Sequence, residues 1–320
     1  MDNIKLTFAI VTYNRRGELE LNMNNLIPIA QKYPVEILVC DNASTDDTST
    51  YCKKLTAQYD FISYFRQKEN VGYDGNVLSA FTVAKATYVW VNGDTRTIVE
   101  SEFPYLMDII QKEEYDSISF HDDKKYDEQL FITSDLSELL SAEGFRYSLV
   151  GSFIIRKPLT DPVVYKQYVN LKFMHIPFLF ETLSRKSDTK NRVLSNKYFR
   201  LVEDGRKSRT FWNEHTFETF SKCWFHTIMA LPNSLSVDSK IKCLKGIPAG
   251  HIFSFKSVLR KYALGRVKKA DYRIGRPYLE FTSHTSVWLL DMMFFIPRPI
   301  VILSVTFVNL FKRKSNEYIE

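Results

Sequence analysis

The sequence predicts an α/β protein, with a mainly parallel β-sheet flanked by helices and a mostly helical C-terminal region after it. Over residues 1 to about 120, short apolar runs alternate with amphipathic stretches, which is typical of βαβ units. The first run, "KLTFAIVTY", is continuously apolar, as expected for a strand that is covered on both faces. After about residue 205 the pattern is helical and rich in Phe, Trp and Lys.

The individual elements follow in chain order from the same patterns. Four strands are predicted, over "KLTFAIVTY", "VEILVCDN", "ISYFRQ" and "TYVWVNG". Three helices are predicted between them, over "GELELNMNNLIPIAQKY", "TDDTSTYCKKLTAQY" and "GNVLSAFTVAKA". From "EFPYLMDIIQ" to about residue 200 the alternation is less clean. We therefore predict a first domain over residues 1–205, with halves 1–120 and 121–205, and a helical region over 206–320.

Composition limits the classes of partner. Hydrophobic residues make up 45% of the chain and charged residues 25%, so the chain can bury a substantial core. The net charge is +6, and basic clusters near the C-terminus suit an anionic membrane surface, a phosphorylated ligand or simply solvent. No nucleic-acid motif accompanies these clusters, so we expect no nucleic-acid partner.

The cysteines and the N-terminus bear on the compartment. None of the four cysteines forms a C-x-x-C pair, so buried thiols in a reducing compartment are expected. The opening "MDNIKLTFAIVTYN" lacks the basic, apolar and small-residue segments of a signal peptide. We therefore expect a cytoplasmic location.

Polar residues cluster at the predicted carboxyl ends of successive strands. One such cluster is usually a helix cap, but ligands bind beyond the carboxyl ends of strands in an open parallel sheet. Four clusters at one edge therefore predict a ligand site. A carboxylate such as Asp41 can accept hydrogen bonds from a base or ribose, and Gly72 allows close backbone approach. The clusters comprise Thr12, Tyr13, Asn14 and Arg15, then 41–46, then Asn70, Gly72, Tyr73, Asp74 and Asn76, and finally Asn92, Gly93 and Asp94.

Taken in order, four motifs resemble the family 2 nucleotide-sugar glycosyltransferases of the GT-A fold, which is Rossmann-like. They are "FAIVTYNR", "ILVCDNASTDDT", "ENVGYDGNVLSAFTVAKATYVWVNGD" and "GSFIIRK", and they cover about the first half of the chain. The resemblance implies a catalytic domain over 1–205, with a nucleotide-sugar half followed by an acceptor half. It also implies nucleotide contacts by Thr12, Tyr13, Asn14 and Asp41, with Asn70 and Gly72 beside the nucleotide-sugar.

The family's Asp-x-Asp turn holds a divalent cation on the diphosphate, and two alignments place it here. In the first, Asn92-Gly93-Asp94 matches Asp-x-Asp, and Asp94 binds the metal. In the second, "WVNGDTRTI" aligns without a gap with the family's pattern of a tryptophan, an apolar pair, a glycine and three aspartates. Asp94 then matches the first aspartate, and Arg96 takes the place of the last. Arginine pairs well with phosphate oxygens. We favour Mg²⁺ or Mn²⁺ held through Asp94, with Arg96 in the metal's place as the alternative.

The family's catalytic base is usually a carboxylate of a Glu-Asp pair at the start of a helix. The pair follows a small-residue segment that reads Gly151-Ser152-Phe153 here. At the matching place, "NLKFMHIPFLFETLSRK" has no acidic pair. Because histidine accepts protons near neutral pH, His175 is the predicted base, although a lone histidine can equally be a core residue. Glu181 is the alternative.

Two further clusters have weaker signals. His121, Asp122 and Asp123 follow a short predicted strand and form either a metal site or a polar loop near the acceptor. The basic residues Arg206, Lys207 and Arg209 form either a phosphate contact or a solvated turn.

The apolar segment 287–311 is long enough for a membrane helix, but Asp291 and the "PRP" at 297–299 interrupt it. We predict two short helices broken at "PRP", lying in a membrane interface with Trp288 and "FKRK" as anchors. Packing onto the first domain or a second subunit is the alternative.

Taken with these features, the resemblance implies an inverting glycosyltransferase. Its donor would be a nucleotide-diphosphate sugar. UDP is the expected carrier, because it is the commonest one in the family. Its acceptor would be a glycan or lipid-linked glycan in cell-surface polysaccharide synthesis, reached at the inner face of the membrane. The alternative is a non-catalytic nucleotide-sugar-binding protein on the same scaffold, since the acidic pair and full aspartate triplet are absent.

Overall fold

The computed structural model describes residues 4–121, 129–157, 162–195, 197–201, 215–246 and 252–303. The chain divides into two compact units. Unit 1 comprises Met1–Arg206 and Ala230–Ser239, and unit 2 comprises Lys207–Met229 and Lys240–Glu320. The assignment of catalytic and acceptor halves to the first 205 residues stays a prediction.

Unit 1 contains an eight-stranded sheet in the order β3-β2-β1-β4-β8-β6-β9-β7 and a two-stranded sheet of β5 and β10. The strands of the large sheet are β1 (Leu6–Thr12), β2 (Val35–Asp41), β3 (Ile62–Arg66), β4 (Tyr88–Gly93), β6 (Ser117–His121), β7 (Gln129–Thr133), β8 (Phe153–Arg156) and β9 (Asn191–Ser195). The strands of the small sheet are β5 (Arg96–Ile98) and β10 (Phe199–Leu201).

Strand direction brings the predicted site residues to one edge. β1 pairs in parallel with β2 and β4, β2 pairs in parallel with β3, and β6 pairs in parallel with β9. β8 runs antiparallel to both β4 and β6. The carboxyl ends of β1, β2, β4 and β6 therefore share one edge with the amino end of β8, and we call this the carboxyl edge.

The inner strands form because they are apolar on both faces. Every residue of β1 and β2 is buried, as the continuous apolar runs predict. The Trp90 ring of β4 packs edge-on against Phe8 of β1, with ring centres 5.3 Å apart. The Trp90 indole N–H also donates to the Gly151 carbonyl oxygen at 2.9 Å, which ties β4 to the turn before β8.

Helices connect the strands, as predicted. Those of unit 1 are α1 (Arg16–Lys32), α2 (Thr48–Gln58), α3 (Gly72–Val83), α4 (Phe103–Lys112), α5 (Leu136–Glu143) and α6 (His175–Ser184). Two of them begin three residues away from the predicted start. α2 begins three residues later, where the Asp46 side chain accepts from the Thr48 backbone N–H at 3.1 Å. α3 begins at Gly72 rather than at Gly75.

Helices predominate in the described part of unit 2. They are a π-helical stretch (Glu218–Cys223), α7 (Trp224–Met229), α9 (Phe255–Ala263), α10 (Lys269–Gly275), α11 (Leu279–Thr282) and α12 (Val287–Phe295), while α8 (Val237–Lys245) crosses the boundary between the units. Phe217 of unit 2 is completely buried and packs against Phe253, Tyr272 and Phe294. The predicted α/β sheet followed by a helical region is confirmed.

The apolar segment near the C-terminus is broken where the sequence predicts. α12 ends at Phe295, and a second helical stretch begins at 298 and continues to 303. Residues 304–311 of the segment and the basic "KRK" at 312–314 lie outside the described residues. Among the helices described, none has the length and apolar character needed to cross a bilayer. The four cysteines are buried free thiols.

Candidate functional site

A hydrogen bond joins the ends of β1 and β4 at the carboxyl edge. The Thr12 hydroxyl donates to Asp94 Oδ2 at 2.8 Å, and Arg15 Nε lies 3.0 Å from Asp94 Oδ1 in an ion pair. Asp94 is only 5% exposed. Burial raises the pKa of the Asp94 carboxyl to about 6, although the Arg15 charge and the Thr12 hydroxyl oppose the shift. The strand-end aspartate is therefore a buried carboxylate paired with a guanidinium.

A second set of contacts joins the loops after β1 and β2. Asn14 has a left-handed backbone, with φ of 52°. Its N–H donates to the Ser44 hydroxyl at 2.9 Å, and its side-chain oxygen accepts from the Thr45 N–H at 2.7 Å. The neighbouring Tyr13 ring is exposed. The two loops are thus fixed against each other, beside an aromatic surface that is open to solvent.

Asp41, at the end of β2, shapes the loop that follows it. Asp41 Oδ1 accepts from the Ser44 N–H at 2.8 Å, and Oδ2 accepts from the Tyr64 hydroxyl at 2.7 Å. Arg66 Nε lies 3.3 Å from Oδ2. The carboxylate is completely buried, so its contact with a nucleotide stays a prediction.

Asn42, a member of the predicted polar cluster 41–46, holds the segment 70–72. Its side-chain NH₂ donates to Asn70 Oδ1 at 2.9 Å and to the Gly72 carbonyl at 3.1 Å, and its oxygen accepts from the Val71 N–H at 2.9 Å. Gly72 has φ of +76°, and no atom lies within 4 Å of where a Cβ would stand. The backbone at Gly72 is therefore open on the side where a Cβ would stand, and a ligand could approach it closely there.

The described residues do not fit a resident divalent cation at Asp94. Both of its carboxylate oxygens have partners, and the charge of Arg15 would repel a cation there. In the described part of the chain, no group of three His, Cys, Asp or Glu side chains could hold a metal, whereas Mg²⁺ and Ca²⁺ take six or more oxygen ligands. The Mg²⁺ or Mn²⁺ site stays a prediction.

Arg96 begins β5, two residues after Asp94. Its guanidinium carbon lies 4.7 Å from the centre of the Phe199 ring. Burial raises the pKa of the Tyr73 phenol at the start of α3, and the positive charge of Arg96 opposes this rise. Arg96 therefore adds a positive charge near the segment that follows Gly72.

Asn92, near the end of β4, lies inside the protein and not at the surface of the carboxyl edge. It is completely buried, and neither polar atom of its side chain has a hydrogen-bond partner among the described residues. Gly151 has φ of +91°, and a Cβ there would stand 2.0 Å from Asn92 Oδ1. Asn92 thus packs on the backbone of the turn before β8, and its predicted ligand contact stays a prediction.

His175 is the first residue of α6 and is only 1% exposed. Its Nε2 lies 2.7 Å from the Tyr147 carbonyl oxygen, so Nε2–H is the donor. The ring also stacks with Phe153, with centres 6.4 Å apart. Burial lowers the pKa of the imidazole to about 4. These surroundings favour a structural histidine, and the role of base stays a prediction.

Glu181, the alternative base, is also engaged. Its Oε1 accepts a hydrogen bond from the Tyr168 hydroxyl, and its Oε2 lies 3.5 Å from Arg185 Nη2. Asp74 anchors the segment before α6, because its carboxylate accepts from the backbone N–H groups of Lys172 and Met174. This role of Asp74 is not predictable from the sequence, since its partners lie about a hundred residues away.

The remaining candidates are only partly described. His121 ends β6, and its Nδ1 lies 2.9 Å from Glu143 Oε1. Its sequence neighbours Asp122 and Asp123 lie outside the described residues, as does the basic group Arg206, Lys207 and Arg209.

Known proteins resemble this chain in sequence and in fold. The family model described as glycosyl transferase family 2 matches residues 7–166. Abequosyltransferase RfbV of Salmonella typhimurium is 26% identical over an alignment of 199 residues, and the match covers 53% of this chain and 59% of RfbV. Chondroitin synthase of Pasteurella multocida is 28% identical over 196 residues, which are 61% of this chain and 16% of that enzyme. The chain thus matches less than two thirds of the length of these relatives.

Among solved structures, Staphylococcus aureus TarS 1–349 in complex with UDP-GlcNAc superposes with a TM-score of 0.55 at 17% identity. The match covers 86% of this chain and 80% of the TarS chain. This likeness supports the GT-A fold predicted from the sequence motifs. The family model spans half of the chain, over the strands that form the carboxyl edge. The chain therefore belongs to glycosyl transferase family 2.

Proposed function

We propose that the chain is an inverting glycosyltransferase that moves a sugar from a nucleotide-diphosphate donor to a hydroxyl of a glycan or lipid-linked glycan. The observation that best supports this is the hydrogen-bonded connection of strand ends at the carboxyl edge, through Thr12 with Asp94 and Asn14 with Thr45. The names of the relatives, an abequosyltransferase and a chondroitin synthase, support sugar transfer to a glycan.

The donor would lie along the carboxyl edge. Its nucleoside would lie over the loops after β1 and β2, where the exposed Tyr13 ring offers an apolar face to a base. The open space at Gly72 would admit the part between base and diphosphate. UDP is the proposed carrier, and the UDP-GlcNAc in the TarS complex is in keeping with it.

The diphosphate would lie at the end of β4, where its charge must be neutralised. Arg15 forms an ion pair with Asp94, and Arg96 follows Asp94 by two residues in the sequence. Guanidinium groups bind phosphate oxygens through paired, charge-assisted hydrogen bonds. This arrangement favours the alignment in which Arg96 takes the metal's place, and we propose that the two arginines neutralise the leaving diphosphate.

The reaction would be a single displacement at the anomeric carbon. The acceptor oxygen attacks that carbon while the bond to the diphosphate oxygen breaks, and the nucleoside diphosphate leaves with the electron pair. A base on the protein removes the acceptor proton as the new bond forms. Inversion of the anomeric configuration follows from the single displacement.

Release of nucleoside diphosphate from a panel of nucleotide-sugars tests this function. We expect release from one donor, faster with a glycan acceptor, and full activity in EDTA because arginines serve the diphosphate. Loss of activity in EDTA, restored by Mn²⁺ or Mg²⁺, would instead establish the cation at Asp94. Donor binding in calorimetry without any release would favour the alternative, a non-catalytic nucleotide-sugar-binding protein.

The acceptor would be reached at a membrane surface. One face of α12 is apolar and exposed, with Trp288 63% and Phe295 82% exposed, and Leu303 in the next helical stretch is also exposed. The charge of Asp291 is held within unit 2 by Arg276 at 2.6 Å. An apolar face with internally paired charge suits insertion into a membrane interface. We propose peripheral attachment to an anionic membrane through this face.

Sedimentation with vesicles tests this attachment. Burying each large apolar side chain contributes about 1.5–3 kcal/mol. The double variant Trp288→Ser/Phe295→Ser should therefore bind phosphatidylglycerol vesicles about 100-fold more weakly than the wild type. Val237→Ser removes an equally exposed apolar side chain from α8 and should bind normally. If the wild type stays in the supernatant and forms dimers that the double variant lacks, the face is instead a subunit interface.

A further inference from the structure

A cluster of positive charges lies at the C-terminal end of α9 in unit 2. The segment 255–268, which comprises α9 and the connection to α10, contains five basic residues and no acidic one. Within the described part of the chain, neither Lys261 nor Arg266 forms an ion pair with a carboxylate. Burial lowers the pKa of the Lys261 ammonium, and the nearby charge of Arg266 lowers it further. The two cations therefore repel each other, and no described carboxylate balances them.

The end of α9 fixes these two cations beside each other. Gly265 has a left-handed backbone, with φ of +70°, as is typical of the residue that follows a helix. Its N–H donates to the Tyr262 carbonyl at 3.0 Å, and the Arg266 N–H donates to the Lys261 carbonyl at 2.9 Å. These two hydrogen bonds form a Schellman motif. The motif holds the backbone of Arg266 against that of Lys261.

A third cation, Arg298, reaches the same end of α9. It lies in the "PRP" break between α12 and the next helical stretch. Its Nε and Nη2 donate to the carbonyl oxygen of Ala263, the last residue of α9, at 3.4 and 3.3 Å. A Cβ on Gly265 would stand 2.6 Å from Arg298 Nη2, so the glycine leaves room for the guanidinium. The Ala263 carbonyl, which would otherwise repel an anion, therefore has donors.

These cations lie next to the apolar face that was proposed above to enter a membrane. The Tyr262 ring of α9 packs against Phe294 of α12, with ring centres 4.9 Å apart. Exposed apolar residues flank Arg298 in the sequence on both sides, namely Phe295, Ile296 and Ile300. At a membrane surface, a basic side chain among apolar ones extends its charge to the level of the lipid head groups. The cluster is therefore placed where lipid phosphates would lie.

We propose that Lys261, Arg266 and Arg298 form a binding site for the phosphate of an anionic lipid head group. This inference rests on the proposed membrane attachment and names the group that the membrane supplies. The apolar side chains of α12 enter the acyl layer, and the phosphate lies between the three cations as their counterion. Guanidinium groups bind phosphate oxygens in pairs, and an ammonium adds a further charge-assisted donor. The bound phosphate offsets the repulsion between Lys261 and Arg266.

Sedimentation with vesicles that differ in head-group charge tests this site. The wild type should bind phosphatidylglycerol vesicles more tightly than phosphatidylcholine vesicles. A basic side chain near an anionic surface contributes about fivefold to binding. Lys261→Gln/Arg266→Gln should therefore bind phosphatidylglycerol about 25-fold more weakly than the wild type, with unchanged binding to phosphatidylcholine and no fall in melting temperature. Arg298→Gln should bind phosphatidylglycerol about fivefold more weakly, and its amide NH₂ can still donate to the Ala263 carbonyl.

A matched variant separates a site from an effect of net charge. Lys222→Gln/Lys245→Gln removes two positive charges from other helices of unit 2 and should bind both kinds of vesicle as the wild type does. An equal loss of phosphatidylglycerol binding in the two double variants would overturn the proposal. Equal binding of the wild type to both kinds of vesicle would also overturn it, but would leave the attachment through α12 standing. If the wild type binds neither kind, the proposed attachment itself fails.

Discussion

Replacing Asp94 by alanine is expected to lower kcat/KM for the donor about 100-fold while the protein stays folded. Asp94 orients Arg15 toward the end of β4 and fixes the Thr12 hydroxyl. Without it, the guanidinium is no longer held where the diphosphate would lie. Loss of one preorganised electrostatic contact typically costs 10²–10³-fold in rate, and about 100-fold allows for the partial exposure of Arg15. Steady-state diphosphate release measures the change.

Asp94→Asn is the matched control for charge and stability. The raised pKa of about 6 in the folded protein, against 3.8 for an unperturbed aspartate, means that the folded state binds the proton more tightly. The stability that this provides is present below pH about 4 and is lost as the pH rises through about 6. The variant lacks this dependence. Between pH 4 and 6, the wild-type free energy of unfolding should fall relative to the variant by on the order of 2–3 kcal/mol.

The two measurements together identify a functional carboxylate. Asp94→Asn should be at least as stable as the wild type at pH 7 while its donor turnover is impaired. Such a combination indicates a buried charge that serves activity at the expense of stability. Unchanged kcat/KM in both Asp94 variants would place the diphosphate elsewhere.

Replacing His175 by alanine is expected to lower the free energy of unfolding by about 3 kcal/mol, because it leaves a cavity and an unpaired Tyr147 carbonyl. The melting temperature should fall by roughly 5–10 °C, as calorimetry or circular dichroism would show. The imidazole pKa is lowered to about 4 from 6.5. The stability that His175 provides is therefore present above pH 6.5 and is lost as the pH falls through about 4.

His175→Gln distinguishes this structural role from the predicted catalytic one. The glutamine amide NH₂ can reach the Tyr147 carbonyl in place of Nε2, but it cannot accept a proton. A structural histidine predicts nearly normal stability and turnover in this variant. If His175→Gln is as stable as the wild type but loses turnover about 10²-fold or more, then His175 is the base.

The strands, the helices and the candidate donor residues were predictable because they depend on local patterns. Continuous apolar runs indicated β1 and β2, and polar residues at strand ends indicated Thr12 and Asp94. A parallel sheet then brings such ends together without any knowledge of side-chain contacts. The hydrogen bond between these two residues, 82 positions apart, is a direct result of that register.

The pairing of side chains was not predictable. In the sequence, Arg15 is one member of a polar cluster, and nothing in its neighbourhood indicates an ion pair with Asp94. His175 lies among apolar residues in the sequence, whereas His121 follows an apolar strand and precedes Asp122 and Asp123. Their difference lies in partners 28 and 22 residues away, Tyr147 and Glu143. Only the folded chain shows which of the two rings is enclosed and which lies against a carboxylate.

Photolabelling with an azido derivative of the nucleotide-sugar tests the location of the donor site most directly. Peptide mapping should place the label in unit 1, in the peptides that contain Tyr13 or residues 70–73, and excess nucleoside diphosphate should prevent labelling. Label that is confined to unit 2, or that excess nucleoside diphosphate does not reduce, would contradict a donor site at the carboxyl edge of the sheet.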